Sequence, residues 1–422
     1  MRIAMAYGRK QVEVSVPGAR LVGVVEPNAV APVADVEAAA EQSLERPVTG
    51  PPLSDVLDGA RTALILVPDY TRPSPRPTLL PMLRACERQG VEPTLCVAIG
   101  RHRPMTEAEI AGHLGHDLVR RHRVVQHDPF DRDAHEHLGQ TARGTEILVN
   151  RLVLEHDRVL GTGIIEPSYL AGFSGGRKLL MPGVAFHAAI DQNHFLLTDP
   201  ATRIGRLAGN PLSEDAEEFA RACPYHFICY AVAGPDDEVV DVVAGDPYAA
   251  HQMACERSAR IYRVGATPAP VVIASAGGHP YDCDLVQSKK AIIPAAEAVE
   301  RNGAIILLGA SPEGLGAEET FIEWLRTKSP AQVVRDVRDH EQFSLGAHGA
   351  NILARPIIEK NATVVLVCQP EVAQALAGTY VHAVSEFDDA WDRANLLCGP
   401  EAGVLVLRKA RRLIVETGAG HA

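Results

Sequence analysis

Short apolar runs recur along this chain, separated by polar, proline-rich or helix-like stretches. Residues 1–14 (MRIAMAYGRKQVEV) alternate in the manner of a strand. Residues 20–60, rich in Pro, Ala, Val and Glu, read as a loop plus a helix with a short connector. Residues 63–67 (ALILV) and 94–99 (TLCVAI) are continuously apolar, as strands buried on both faces of a parallel sheet are. Between them, 68–77 (PDYTRPSPRP) carries too many prolines for regular structure, and 78–88 reads as a helix. Thr106 opens another helix, with Glu109 at capping-box spacing. The rhythm continues through 123–125 and 159–163.

A second series begins near Pro268. Residues 271–275 (VVIAS) predict a strand, Gly277-Gly278-His279-Pro280 a turn, 284–299 a helix and 304–308 (AIILL) a strand. Helices near Ala317 and Pro330 and over 352–359 precede a strand at 363–367. The strand-like tail, 403–407 and 413–415, is expected to return to the first domain. Strands alternating with helices define an α/β protein with mainly parallel sheets and right-handed crossovers. Ligands in such sheets collect at the carboxyl ends of the strands, so the loops after Val67, Ile99 and Gly163 are candidates for one shared site.

Composition narrows the class. A chain of 422 residues suits two or three domains. The net charge of −12 argues against a nucleic-acid or anionic-membrane surface. No apolar run reaches membrane-spanning length, and the N-terminus lacks a secretory apolar region. The 8 cysteines are scattered without CxxC pairs, which predicts reduced thiols and a cytoplasmic location.

The stretch 166–194 (EPSYLAGFSGGRKLLMPGVAFHAAIDQNH) is the most informative. Lys178 stands just behind the Gly175-Gly176 pair, where backbone can approach a ligand and a lysine can be a covalent attachment point or an anion anchor. His194 is a candidate metal ligand on a predicted helix. The same residues also suit a Gly-rich turn with a solvated lysine and a surface histidine. Asp69, Thr71 and Arg72 follow the first buried strand. There an Asp can orient a histidine or a cofactor hydroxyl and an Arg can clamp a carboxylate, or the loop can be an Asx-type turn. His102, between Arg101 and Arg103, suits a general base kept neutral by its neighbours, or a hydrogen-bonded loop histidine. His122, His127, His135 and His137 read as surface or structural. Gln287 and Lys290 share a helix face at i and i+3, with Lys289 as the solvated neighbour.

In order along the chain, AYGRKQVEVSVP, DYTRP (69–73), GRHRPMTEAEI (100–110), GGRKLLMPGV with Asn193-His194, and GGHPYDCDLVQSKKA (277–291) resemble the nickel-pincer lactate racemase family. The resemblance covers most of the chain. It implies two α/β domains with an interdomain cleft: an N-terminal cofactor-binding domain, 1–266, joined by the tail 400–422, and a C-terminal domain, 267–399. It implies a nickel-pincer pyridinium nucleotide attached at Lys178, supplied by cofactor-synthesis enzymes, with His194 completing the nickel coordination. Asp69, Thr71, Gly175 and Gly176 would contact the cofactor, Asp69 orienting it or His102. His102 would be one of two catalytic histidines. Arg72, Gln287 and Lys290 would bind a small 2-hydroxy acid or polarise the site, with Tyr169 near the substrate. A homo-oligomer is compatible with this picture.

The chain departs from the family at one position. The second catalytic histidine normally lies ten residues before the attachment lysine, in Glu-Pro-His; here the segment reads Glu166-Pro167-Ser168. Serine has no acid–base pKa near neutrality unless another group activates it. A second base from elsewhere (Tyr169 and His187 are nearest in sequence) is one reading. A substrate other than lactate, with Ser168 binding an extra hydroxyl, is another. A one-sided hydride-transfer oxidoreductase using His102 alone, or a non-catalytic cofactor-binding paralogue, is the third. The candidate catalytic set is therefore His102, Ser168, Arg72 and Lys290. Val286 stands where the family commonly has an aromatic hydroxyl. A nicotinamide dehydrogenase is disfavoured, since no GxGxxG follows the first strand.

Overall fold

The computed structural model describes residues 1–339 and 344–418. The chain forms two compact α/β units. One comprises residues 29–261. The other combines 1–28 with 262–422.

The 29–261 unit is built on a six-stranded sheet in the order Val239–Gly245, Phe227–Ala233, Arg158–Ile165, Thr62–Pro68, Glu92–Ala98, Arg123–Gln126. Only Val239–Gly245 runs antiparallel to its neighbour. The apolar runs explain this arrangement. Leu64, Ile65, Leu66 and Val67 are all fully buried, as in parallel strands covered on both faces. The helix Arg76–Arg88 starts two residues before the sequence expectation; Pro77 fits its first turn, where a missing N–H costs nothing. Thr106 and Glu109 form the expected reciprocal capping box on Glu107–Leu114.

The chain leaves Thr62–Pro68 toward one edge of the sheet and later returns to lay Arg158–Ile165 on its other side. This reversal is a switch point. The loops leaving the carboxyl ends of those two strands diverge there and frame a crevice.

The other unit carries an all-parallel six-stranded sheet in the order His382–Val384, Thr363–Val367, Val299–Leu308, Ala269–Ser275, Val404–Leu407, Leu21–Val25. Both chain ends thus belong to this unit, contrary to the expectation that 1–28 and the tail lie with the N-terminal domain. The tail strand is as apolar as its neighbours (Val404, Leu405, Val406 and Leu407 are buried) and fills a central place beside Ala269–Ser275. Residues 419–422 of the tail lie outside the described residues. The helix expected over 284–299 is three short pieces, Leu285–Ser288, Lys289–Ala291 and Ile292–Ala298, and residue 299 already begins a strand. No helix among the described residues is long and apolar enough to cross a membrane.

Candidate active site

Asp69 is the first residue beyond the strand Thr62–Pro68 and is buried, 3% exposed. Its Oδ1 accepts the Thr71 backbone N–H at 3.0 Å and the Thr71 hydroxyl at 2.5 Å. Its Oδ2 lies 2.5 Å from Nδ1 of His102. The Asx-turn reading and the histidine-orienting reading are both met, by the two oxygens of one carboxylate. Burial by itself raises the Asp69 pKa, but the hydrogen bonds from His102 and Thr71 outweigh it and hold the carboxyl below its ordinary value. An ionised Asp69 fixes the proton on Nδ1 and turns Nε2 outward as an acceptor. The His102 side chain is half exposed, so that nitrogen is reachable.

The flanking arginines play a different part from the one expected. Arg101 pairs with Asp191, and Arg103 pairs with Glu109 while lying 4.4 Å over the Tyr70 ring. Both guanidinia are engaged elsewhere, so the defining contact of His102 is Asp69.

Arg72 comes from the same loop, and its Nε lies 3.6 Å from Oε1 of Glu166 across the switch point. Glu166 is 6% exposed and follows the strand Arg158–Ile165. Motif spacing does not single out Glu166 as a site residue. Its place at a strand's carboxyl end, beside another strand-end arginine, was the available signal. Ser168 and Tyr169 follow it. Ser168 pairs with Gly172 in a tight hairpin, which Ser174 braces by donating to Ile164 O at 2.8 Å and accepting from Glu166 N at 2.9 Å.

Lys178 lies in the turn Gly176–Leu179. Its loop is tied to the His102 loop through Gly183, whose N–H bonds Lys178 O and whose carbonyl accepts from Gly100 N, each at 3.0 Å. Burial, then the charges of Arg72 and Arg177, push the Lys178 ammonium down to about 7, against a smaller opposing effect of Glu166. Much of this lysine is therefore a neutral, nucleophilic amine at physiological pH. The Arg177 guanidinium is buried and donates to Ser213 O, Ser213 Oγ and Ala171 O, with His251 Nδ1 at 3.3 Å.

The two glycines before Lys178 are required by protein packing. A Cβ on Gly175 would come within 2.5 Å of Ile165 and 2.8 Å of Tyr230, and one on Gly176 within 2.5 Å of His251. They let the lysine loop lie flat on the sheet.

His194 stands in the last turn of the helix His187–Phe195. Its neighbour Asn193 is fully buried and donates to Leu212 O at 3.1 Å and to Asp215 Oδ2 at 2.8 Å. Asp215, also fully buried, accepts further hydrogen bonds from Thr141 at 2.5 Å and Thr145 at 2.8 Å. This network clamps the His194 helix. Asp215→Ala strands three buried donors and is expected to destabilise the protein by about 3–5 kcal/mol. Urea denaturation measures it; Asp215→Asn, which keeps acceptor capacity on one side, should lose less.

Gln287 and Lys290 belong to the other unit and touch each other, with Lys290 Nζ donating to Gln287 Oε1 at 2.6 Å. Lys289, expected to be solvated, is 2% exposed. It pairs with Glu318 at 3.4 Å and sits 4.5 Å from the Phe321 ring centroid. The tighter 3-10 turn Lys289–Ala291 accompanies this inward orientation. Among the four histidines set aside, His127 and His135 are buried, hydrogen-bonded to Ala185 O and Asp131 O and packed edge to face. His187 packs against Phe130 and Phe186.

Among the described residues no group of three or more His, Cys, Asp or Glu could hold a metal ion unaided. The chemistry of Lys178, a nucleophilic amine, and of His194, a histidine at a helix end, is that of an attachment point and of one metal donor.

A histidine on a buried carboxylate, an arginine and a lysine of lowered pKa thus gather on loops at one switch point of an α/β sheet. Residues 7–205 match the model of the lactate racemase N-terminal domain, and residues 264–415 that of the lactate racemase C-terminal domain. The chain belongs to the lactate racemase family. It is 29% identical over 424 residues to lactate racemase from Thermoanaerobacterium thermosaccharolyticum, covering 98% of this chain and 99% of that one. It is 27% identical over 384 residues to lactate racemase from Lactiplantibacillus plantarum, covering 89% and 90%. The structure of the T. thermosaccharolyticum lactate racemase apoprotein superposes with a TM-score of 0.93 at 28% identity, over 99% of this chain and 100% of that one. A Thermotoga maritima protein shares the fold, with a TM-score of 0.68 at 19% identity over 93% and 100%.

Proposed function

We propose that this chain is a racemase or epimerase of a 2-hydroxy acid other than simple lactate, working through a nickel-pincer nucleotide attached at Lys178. Membership of the family makes it an isomerase of the racemase type. The observation that carries the finer reading is the pairing of a lysine depressed to about 7 with the Asp69–His102 dyad in connected loops.

In this reading Nε2 of His102 takes the proton of the substrate hydroxyl, while Asp69 holds the ring and stabilises the imidazolium that forms. When bound, the cofactor supplies a hydride acceptor and donor for the substrate Cα. A flat keto acid would leave both faces of Cα open, so that either enantiomer could be regenerated. Arg72 binds the substrate carboxylate; its contact with Glu166 is loose enough at 3.6 Å to leave guanidinium donors for it. Gln287 and Lys290, coupled to each other, are further proposed substrate contacts. His194 would be the protein's ligand to the nickel. Cofactor-synthesis enzymes supply the nucleotide.

Ser168 sets this chain apart. Its hydroxyl offers a donor and an acceptor but no base, which suits a substrate bearing an additional hydroxyl, as sugar acids do. Ser168→His is expected to raise lactate racemisation by about 10²-fold or more, because it supplies a base for the second enantiomer. Chiral chromatography of L- and D-lactate incubations checks this. An unchanged or lower lactate rate would remove Ser168 as the determinant.

The mechanism is tested with a substrate deuterated at Cα. Hydride transfer keeps the deuterium in the racemised product. Loss of the label to solvent would show Cα deprotonation and contradict the proposal. Conversion of a single enantiomer to free keto acid, without its mirror image, would favour the one-sided oxidoreductase.

A further inference from the structure

The unit formed by 1–28 and 262–422 has a switch point of its own. The chain runs from Ala269–Ser275 through Val299–Leu308 and Thr363–Val367 to one edge, then returns to place Val404–Leu407 on the other side of Ala269–Ser275. The loop at the carboxyl end of Ala269–Ser275 is Gly277-Gly278-His279, and a hollow of about 520 Å³ opens there against Gly8-Arg9-Lys10, at the tip of the hairpin of Arg2–Tyr7 and Lys10–Ser15. Its volume is in the range of small-molecule sites.

The two loops are locked together. His279 N–H bonds Gly8 O at 2.8 Å, Gly8 N–H bonds Asp282 Oδ2 at 2.7 Å, and the Ser275 hydroxyl bonds Ala6 O at 2.6 Å. Gly278 adopts φ +75°, and a Cβ there would come within 3.0 Å of Gly8 O, so only glycine lets the loops meet this closely.

Positive charge is in excess at the hollow. Arg9 and Lys10 are exposed and make no ion pair among the described residues; Arg9 Nη2 lies 3.2 Å from Nε2 of His279, and Lys10 lies 5.8 Å from the Tyr7 ring centroid. The nearby Asp282 carboxylate is buried, and its Oδ2 is engaged by Gly8 N and Ala310 N. Arg411 and Arg412 flank the same loop over Tyr281. A cluster of cations on a locked pair of loops at a switch point, on a chain with net charge −12, is a feature the proposed racemase chemistry leaves unused.

We propose that this hollow is a second binding site, taking a tetrahedral phosphate-type oxyanion, either free or as the phosphate of a small monoester. Arg9 and Lys10 donate charge-assisted hydrogen bonds to its oxygens, and His279 closes the third side. The site goes beyond the racemase reading and stands whether or not that reading holds.

Calorimetric titration of the full chain with inorganic phosphate, at constant ionic strength, tests it. Wild type is expected to bind one phosphate. Arg9→Ala combined with Lys10→Ala should weaken this at least about tenfold, since two charged hydrogen bonds are lost. Both side chains are exposed, and a melting curve confirms that the variant is folded. Arg88→Ala combined with Arg120→Ala removes the same charge from exposed positions elsewhere and should bind as wild type does. No heat from wild type, or equal weakening in both double variants, would overturn the proposal. A glycerol phosphate titration distinguishes the sources: tighter binding than inorganic phosphate identifies a monoester as the ligand, and weaker binding identifies free phosphate.

Discussion

Lys178→Ala is expected to leave a folded protein with no measurable turnover and no covalent adduct. Lys178→Arg should be equally inactive, because a guanidinium stays protonated and cannot act as the nucleophile. The physical basis is the environment of the wild-type amine. Burial and two neighbouring guanidinia lower its pKa to about 7, against about 10.4 for an ordinary lysine. Competitive acylation followed by peptide mass spectrometry should therefore show Lys178 reactivity rising with pH and levelling off just above 7. Surface lysines should continue to rise by three further pH units or so. Arg72→Met should move the Lys178 midpoint upward. A midpoint near 10 in the wild type would mean that the electrostatic account of this lysine is wrong.

The second large effect belongs to the Asp69–His102 dyad. Asp69→Asn keeps the shape but removes the charge that fixes the histidine tautomer, and kcat should fall by about 10²–10⁴-fold. His102→Gln should fall by a similar factor, and the double variant by little more than either alone, since the two act as one unit. Equal and additive losses would argue against coupling. Stability carries an independent sign. The Asp69 carboxyl is held below its unfolded value, so its contribution is present above about pH 4 and is lost as pH falls through the folded value. Asp69→Asn should reduce the stability difference between pH 7 and pH 3, as read from urea midpoints.

Much of this was legible in the chain. The buried runs 63–67 and 94–99 fixed two adjacent parallel strands, and a strand-end rule then placed Asp69 and His102 at one crevice. Their contact at 2.5 Å follows from that topology. Other features depended on partners far away in sequence. The fate of the tail could not be read from periodicity, because a buried apolar strand fits equally well into either sheet. Gly175 and Gly176 carry no mark in the sequence that Tyr230 and His251 would pack against them. Lys289 looked solvated because an unbroken helix was assumed. The 3-10 turn at that point changes which lysine faces inward. Arg101 and Arg103 flank His102 in sequence, yet each has a carboxylate of its own, one of them ninety residues away.

The central claim is that Lys178 holds a nickel-bearing nucleotide. It is tested most directly by the intact mass and nickel content of the protein co-expressed with the cofactor-synthesis enzymes, compared with Lys178→Ala made in the same way. One nucleotide-sized adduct with about one nickel per chain on the wild type, absent from the variant, is the expected result. Wild-type protein of unmodified mass, without nickel, would contradict the account and leave a lactate racemase fold without the cofactor chemistry.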